Sequence, residues 1–183
     1  GDYNVQQVPF YILAHRAVRN GNFFWNFHLD LGSSMGGSFA FYLWGSPFFW
    51  FSCLFPEKWI PYMMPFFMSL KYGTALCTSF AWLRTQTRTS RGALLGAFLY
   101  AFSGFQACNI VFQHFHEATA FFPLYLLALD HAHSAISRAG DKSTGKNPRS
   151  VKKGILGFVL MTSAMSVINY FFFFGQVLFL SVY

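Results

Sequence analysis

GILGFVLMTSAMSVINYFFFFGQVLFLSVY, residues 154–183, contains no Asp, Glu, Lys or Arg. A helix needs about 20 predominantly apolar residues to cross a hydrocarbon core, and this run exceeds that. It is expected to tilt, or to break near Asn169 or Gly175. Working outward toward the N-terminus, three more runs meet the same length criterion: 118–137, 92–111 and 60–83, the last with Lys71 inside it. The expected fold is therefore all-α, a polytopic helical bundle with about four transmembrane helices in residues 60–183.

Composition agrees. The chain is 54% hydrophobic, 22% aromatic and 10% charged, with 26 Phe among 183 residues. Soluble domains carry roughly 25% charged residues, and a chain this apolar needs lipid as its solvent. A net charge of +7 could point to nucleic acid, but the basic residues sit in short connections between apolar runs, which is the habit of cytoplasmic membrane loops. Arg84, Arg88 and Arg91 lie in 84–91. Arg138, Lys142, Lys146, Arg149, Lys152 and Lys153 lie in 138–153, against one acid, Asp141. These two loops are expected in the cytoplasm, and the link at residues 114–117 outside. The three cysteines, Cys53, Cys77 and Cys108, form no CxxC pair. They read as small core residues rather than a disulfide framework or a zinc site.

Residues 1–59 differ from the rest. The segment 8–20 reads as a short amphipathic helix, with Pro9 in its first turn and Gly21 at its end. Phe10, Leu13 and Ala17 are expected on its apolar face, with Arg16 and Arg19 snorkelling. The stretch 37–55 is apolar enough to span but is cut by Gly45-Ser46-Pro47. Two short helical pieces at the membrane face are expected, making 1–59 an extracytoplasmic loop with an interfacial helix.

Acids are scarce, which raises the weight of each one near the apolar body. Asp141 reads as solvated and Glu57 as a surface partner of Lys58, while Asp130, beside His131 and His133, suits an interfacial position. Asp2 suits a helix cap or a reactive carboxylate. Asp30 lies in a glycine-rich run, which fits a plain loop as well as a ligand contact. His114, His116 and Glu117 do not have zinc-protease spacing, so a divalent metal has no support and no cofactor is expected. Lys71 either faces a cavity or an acid, or snorkels.

Several of these residues recur in an ordered series. Asp2-x-x-x-Gln6-x-x-Pro9-Phe10 is followed by Phe24-Trp25-x-Phe27, Leu31-Gly32, Phe41-Tyr42-Leu43, Ser46-Pro47 and Leu70-Lys71. Tyr100-Ala101-Phe102-Ser103-Gly104-Phe105, Phe122-Pro123-Leu124 and Asn169-Tyr170-Phe171 complete it. The series resembles the N-terminal part of the bacterial YfhO family, which is placed among the GT-C-fold glycosyltransferases. The resemblance implies a multi-pass enzyme of the bacterial cytoplasmic membrane. Such an enzyme transfers a sugar from a polyprenyl-phosphate donor to a cell-envelope acceptor on the outer face. It also implies that a first span lies before Gly1, that the chain is a fragment, and that the outer-loop catalytic Asp of the fold falls on Asp2. Gln6, Arg16, Asp30, Lys71 and Glu117 are the candidate substrate-binding residues. The family often has Gly-Leu-Gly where this chain has Asp30-Leu31-Gly32, and Gln-Tyr at Gln6-Gln7, which leaves sugar and acceptor open. A transporter or flippase of a lipid-linked or small substrate is the alternative reading, and a non-catalytic scaffold a third. The full-length sequence separates the first two: a matching inverted set of spans favours transport, and one outer-loop Asp followed by more spans favours transfer.

Overall fold

Long apolar runs with short polar connections leave the backbone one way to satisfy its own hydrogen bonds, and the chain takes it. A computed structural model describes residues 3–27, 29, 31–140 and 148–183, and nearly all of them are helical. A wide turn at Tyr3–Gln7 leads into α1 (Val8–Arg19). A two-residue antiparallel hairpin follows, β1 (Trp25–Asn26) with β2 (Ser33–Ser34). Then come α2 (Met35–Phe39), a wide turn at Ala40–Trp44, and α3 (Pro47–Ser52). The bundle proper is α4 (Ile60–Gln86), α5 (Ser90–Ala101), α6 (Gly104–Cys108), α7 (Gln113–Gly140), α8 (Pro148–Ile168) and α9 (Tyr170–Val182).

The segment up to Ser52 behaves as expected at its punctuation. Pro9 sits in the first turn of α1, and Gly21, with φ +71°, follows its end. Gly45-Ser46-Pro47 does break the apolar stretch: Ser46 caps α3 and Pro47 occupies its first turn. Gly45 has a second reason to be glycine. A Cβ there would collide with the backbone carbonyl of Val167 at the end of α8, so the two backbones touch. The buried face of α1 shares Ala17 with the expected one but is centred on other residues. It is Tyr11, Ala14, His15 and Ala17, with Phe10 and Leu13 half-buried. Tyr11 stacks on Phe67 of α4 at 6.5 Å and meets Phe49 of α3 at 5.7 Å. These contacts draw the N-terminal layer into one core with Ile60 and Met64.

In the bundle, α7 packs on both α4 and α8, and α5 packs on α4. Small residues make the close approaches. Ala93, Ala97 and Ala101 form the buried stripe of α5, while Leu94, Leu95, Phe98 and Leu99 point outward. Apolar residues also face outward from α8 and α9, and polar ones (Gln106, Asn169, Gln176) are buried. Cys77 and Cys108 are exposed and Cys53 is half-buried, which corrects their assignment to the core. An apolar exterior accommodates a thiol as readily as a core does.

Pro123 inside α7 removes the N–H that would bond the Thr119 carbonyl. The Tyr100 hydroxyl donates to that carbonyl at 2.8 Å, and Thr78 Oγ1 donates to the Ala120 carbonyl at 2.6 Å. Tyr100→Phe removes the substitute donor. Leaving a buried carbonyl unpaired costs about 1–3 kcal/mol; this one is half-buried, so a loss toward the lower end of that range is expected and the variant should melt lower in detergent. An unchanged melting curve would mean that the carbonyl has another donor.

Two expected spans are revised. The run 92–111 is not one helix. It breaks at Phe102-Ser103, and the 12 residues of α5 rise only about 18 Å. The run 154–183 breaks at Asn169, one of the two places expected, where the side-chain oxygen caps α9 by accepting from Phe172 N. Among the described residues, Arg149–Ile168 is the one helix both long and apolar enough to cross a membrane, with mean hydropathy 1.5. α4 and α7 are longer, at 27 and 28 residues, but carry Lys71, and Glu117 and Asp130.

Candidate functional site: a buried ion pair beneath the N-terminal layer

The most concentrated polar chemistry lies where the N-terminal layer meets α4 and α7. Every third or fourth residue of α4 is buried, from Ile60 through Met64, Phe67 and Met68 to Lys71, Ala75 and Ser79. Lys71 is therefore on the inward face, one turn after Phe67, and its stem is carried into the core rather than along it. Its Nζ lies 2.7 Å from Glu117 Oε1, with the two side chains 0% and 1% exposed. It also donates to the Gln113 carbonyl at 2.9 Å and sits 5.5 Å from the centre of the Phe48 ring. Ser46 Oγ donates to the same carboxylate oxygen at 2.6 Å while accepting from Phe49 N. One serine thus caps α3 and ties that helix to α7.

This arrangement changes three expectations. Lys71 does not snorkel. Residues 114–117 are helix rather than a connection, because α7 starts at Gln113 and Glu117 lies in its second turn. Lys71 and Glu117 present no surface to a substrate, since each is consumed by the other. Buried ions persist only when paired and hydrogen-bonded, and here both conditions hold.

The remaining candidates are scattered. Gln6 Nε2 donates to the Tyr42 hydroxyl at 3.2 Å. Arg16 donates to Glu57 Oε1 from Nε at 2.8 Å and from Nη2 at 2.6 Å, at the surface. Glu57 therefore pairs with Arg16 rather than with Lys58, and the guanidinium holds its carboxyl below the usual range. Arg16 is 13 positions from Tyr3, roughly 20 Å along a helical path. Asp2, Asp30 and Asp141 lie outside the described residues. Asp130 accepts from Trp82 Nε1 at 3.1 Å, Gln86 Nε2 at 2.8 Å and the Tyr183 hydroxyl at 3.3 Å. His116 Nε2 lies 3.0 Å from the Gln106 carbonyl, and His114 packs edge-on against Phe41 and Tyr42. Among the described residues no group of three His, Cys, Asp or Glu is placed to hold a metal.

Sequence reasoning missed Ser46 and Gln113 as partners of the pair. Ser46 carried a signal, a hydroxyl directly before a helix-starting proline, that was read only as a chain break. Tyr11 was also missed. Its hydroxyl is buried among these groups with no hydrogen-bond partner, as are Gln7 Nε2 and Gln113 Oε1. Beside the ion pair, Tyr3, Met68, Tyr72, Ile110 and Gln113 line an apolar cavity of about 410 Å³.

A helical body with a buried ion pair, apolar residues outside and one helix of bilayer length fits a membrane protein. Residues 1–137 match the family described as bacterial membrane protein YfhO, and the chain belongs to that family. No curated protein and no solved structure matches it.

Proposed function

We propose that the chain is the N-terminal part of a membrane glycosyltransferase. It would use a polyprenyl-phosphate sugar and an envelope acceptor at the outer face of the bacterial cytoplasmic membrane. The observation that carries this reading is membership of residues 1–137 in the YfhO family; in this reading the outer-loop Asp of the GT-C fold falls on Asp2. In this reading α4, α7 and the paired pieces α5–α6 lie in the bilayer together with α8, the one described helix that qualifies by length and composition. The N-terminal layer lies at the outer interface.

The chemistry is consistent with that placement. A sugar on a lipid phosphate has its leaving group built in, so the acceptor hydroxyl chiefly needs a base, and Asp2 supplies it. The cavity lined by Tyr3, Met68, Tyr72 and Ile110 begins one residue from Asp2 in sequence and suits an isoprenoid segment. No Lys or Arg lines it. This cavity is accordingly assigned the lipid of the donor and not its phosphate.

The transporter reading is favoured by different observations: an intramembrane ion pair and helices interrupted at Phe102-Ser103 and Asn169, features of alternating-access proteins. One experiment separates the two. Purified full-length protein in liposomes is given a fluorescent polyprenyl-phosphate sugar and an envelope acceptor fraction. Release of free polyprenyl phosphate with labelled acceptor is the expected result. Movement of intact donor between leaflets without its consumption would replace transfer by transport.

A further inference from the structure

The groove between α7 and α8 has a graded chemistry that the transferase reading does not use. On α7, Leu124, Leu127, His131, Ser134 and Arg138 follow one another at spacings of three or four and line one side of a cavity of about 710 Å³. Such spacing places them on one helix face. On α8, Lys153, Gly157 and Met161 line the opposite side at the same spacing. The helices are joined by the connection 141–147, so Arg138 and Lys153 are at the same end. The cations therefore gather at one end of the groove, and Leu124, Leu127 and Met161 at the other. Arg138 and Leu124 are 14 positions apart, about 20 Å along the helix.

The two glycines of the groove do different things. A Cβ on Gly154 would stand 3.2 Å from Ala132 Cα and from Ala135 Cβ, so the helices touch there. A Cβ on Gly157 meets nothing within 4 Å, so the groove stays open beside it. No described acid lines the cavity. Asp130, the nearest on α7, is turned away to Trp82, Gln86 and Tyr183.

We infer that this groove binds an anionic phospholipid, its phosphate between Arg138 and Lys153 and an acyl chain along Gly157 toward Leu124 and Met161. A cationic end joined to an apolar trough matches an anionic head on a hydrocarbon tail, and basic pockets between membrane helices recognise such heads. A neutral lipid would gain only the trough, and a soluble phosphate only the cations.

The test uses the full-length protein in neutral detergent with equimolar phosphatidylglycerol and phosphatidylcholine, and lipids retained are counted by native mass spectrometry. Selective retention of phosphatidylglycerol is expected. The double variant Arg138→Gln, Lys153→Gln should bind it roughly 10–30-fold more weakly. Gly157→Leu fills the open part of the groove while improving helix propensity, and should displace the lipid with the cations intact. Equal retention of both lipids, or undiminished phosphatidylglycerol in both variants, would overturn the site. Competition by glycerol phosphate as effective as that by the whole lipid would overturn the lipid as occupant.

Discussion

Lys71→Met in the full-length protein is expected to lower the unfolding free energy by about 3–5 kcal/mol. The cause is Glu117 more than the lysine. With the ammonium gone, a carboxylate 1% exposed keeps only the Ser46 hydroxyl, and its desolvation is no longer offset. Glu117→Gln should be damaging for the complementary reason, because it strands the ammonium against the Gln113 carbonyl and the Phe48 ring. Lys71→Met with Glu117→Leu removes both charges and keeps the volume. It should recover most of the loss, since buried pairs exchanged for apolar residues are often neutral or stabilising. Thermal melts in detergent of the native protein, Lys71→Met, Glu117→Leu and the double variant give the coupling directly. A snorkelling lysine predicts the opposite result, with Lys71→Met neutral or more stable. Additive losses in the double variant would mean that the two residues act apart.

That pair marks where the sequence could be read and where it could not. A charge in the middle of an apolar run must find a partner or leave, and that much was legible at Lys71. The partner was not, because Glu117 is 46 positions away and sits at the edge of an apolar run, next to two histidines. The hydropathy of 118–137 begins one residue later, so Glu117 fell in the connection by one position. Helix starts are set by backbone hydrogen bonds, and α7 begins at Gln113.

The face of α1 was legible only in part, for a similar reason. Hydrophobicity favours Phe10 and Leu13, which pack at the edge of the core, whereas the Tyr11 ring is buried by its fit against Phe49 and Phe67. Local chemistry that needs no partner was legible throughout. Pro9, Gly21, Gly45-Ser46-Pro47 and Asn169 each act where their backbone preferences place them. The break at Phe102-Ser103 had the same kind of signal in Ser103-Gly104, outweighed by the apolar residues on both sides.

Asp2→Asn carries the other large expectation, a loss of about 10²–10⁴-fold in turnover, with the melting curve and donor binding unchanged. Asparagine keeps the size and polarity of the side chain but cannot take a proton from the acceptor hydroxyl. The buried pair supplies the contrast that makes this result readable. Glu117→Gln should lose stability first and activity only as the protein unfolds, so activity measured well below its lowered melting point stays near that of the native protein. Asp30→Asn, at a candidate binding residue in the glycine-rich segment, should keep turnover and the melting curve and act at most on substrate KM. A catalytic base is thus expected to separate turnover from stability, and a structural carboxylate to couple them. Near-normal turnover in Asp2→Asn, with Asp30→Asn inactive yet still folded, would move the base into the glycine-rich segment. Transfer indifferent to both substitutions would place the base elsewhere in the protein, whereas movement of intact donor with no transfer at all would favour transport.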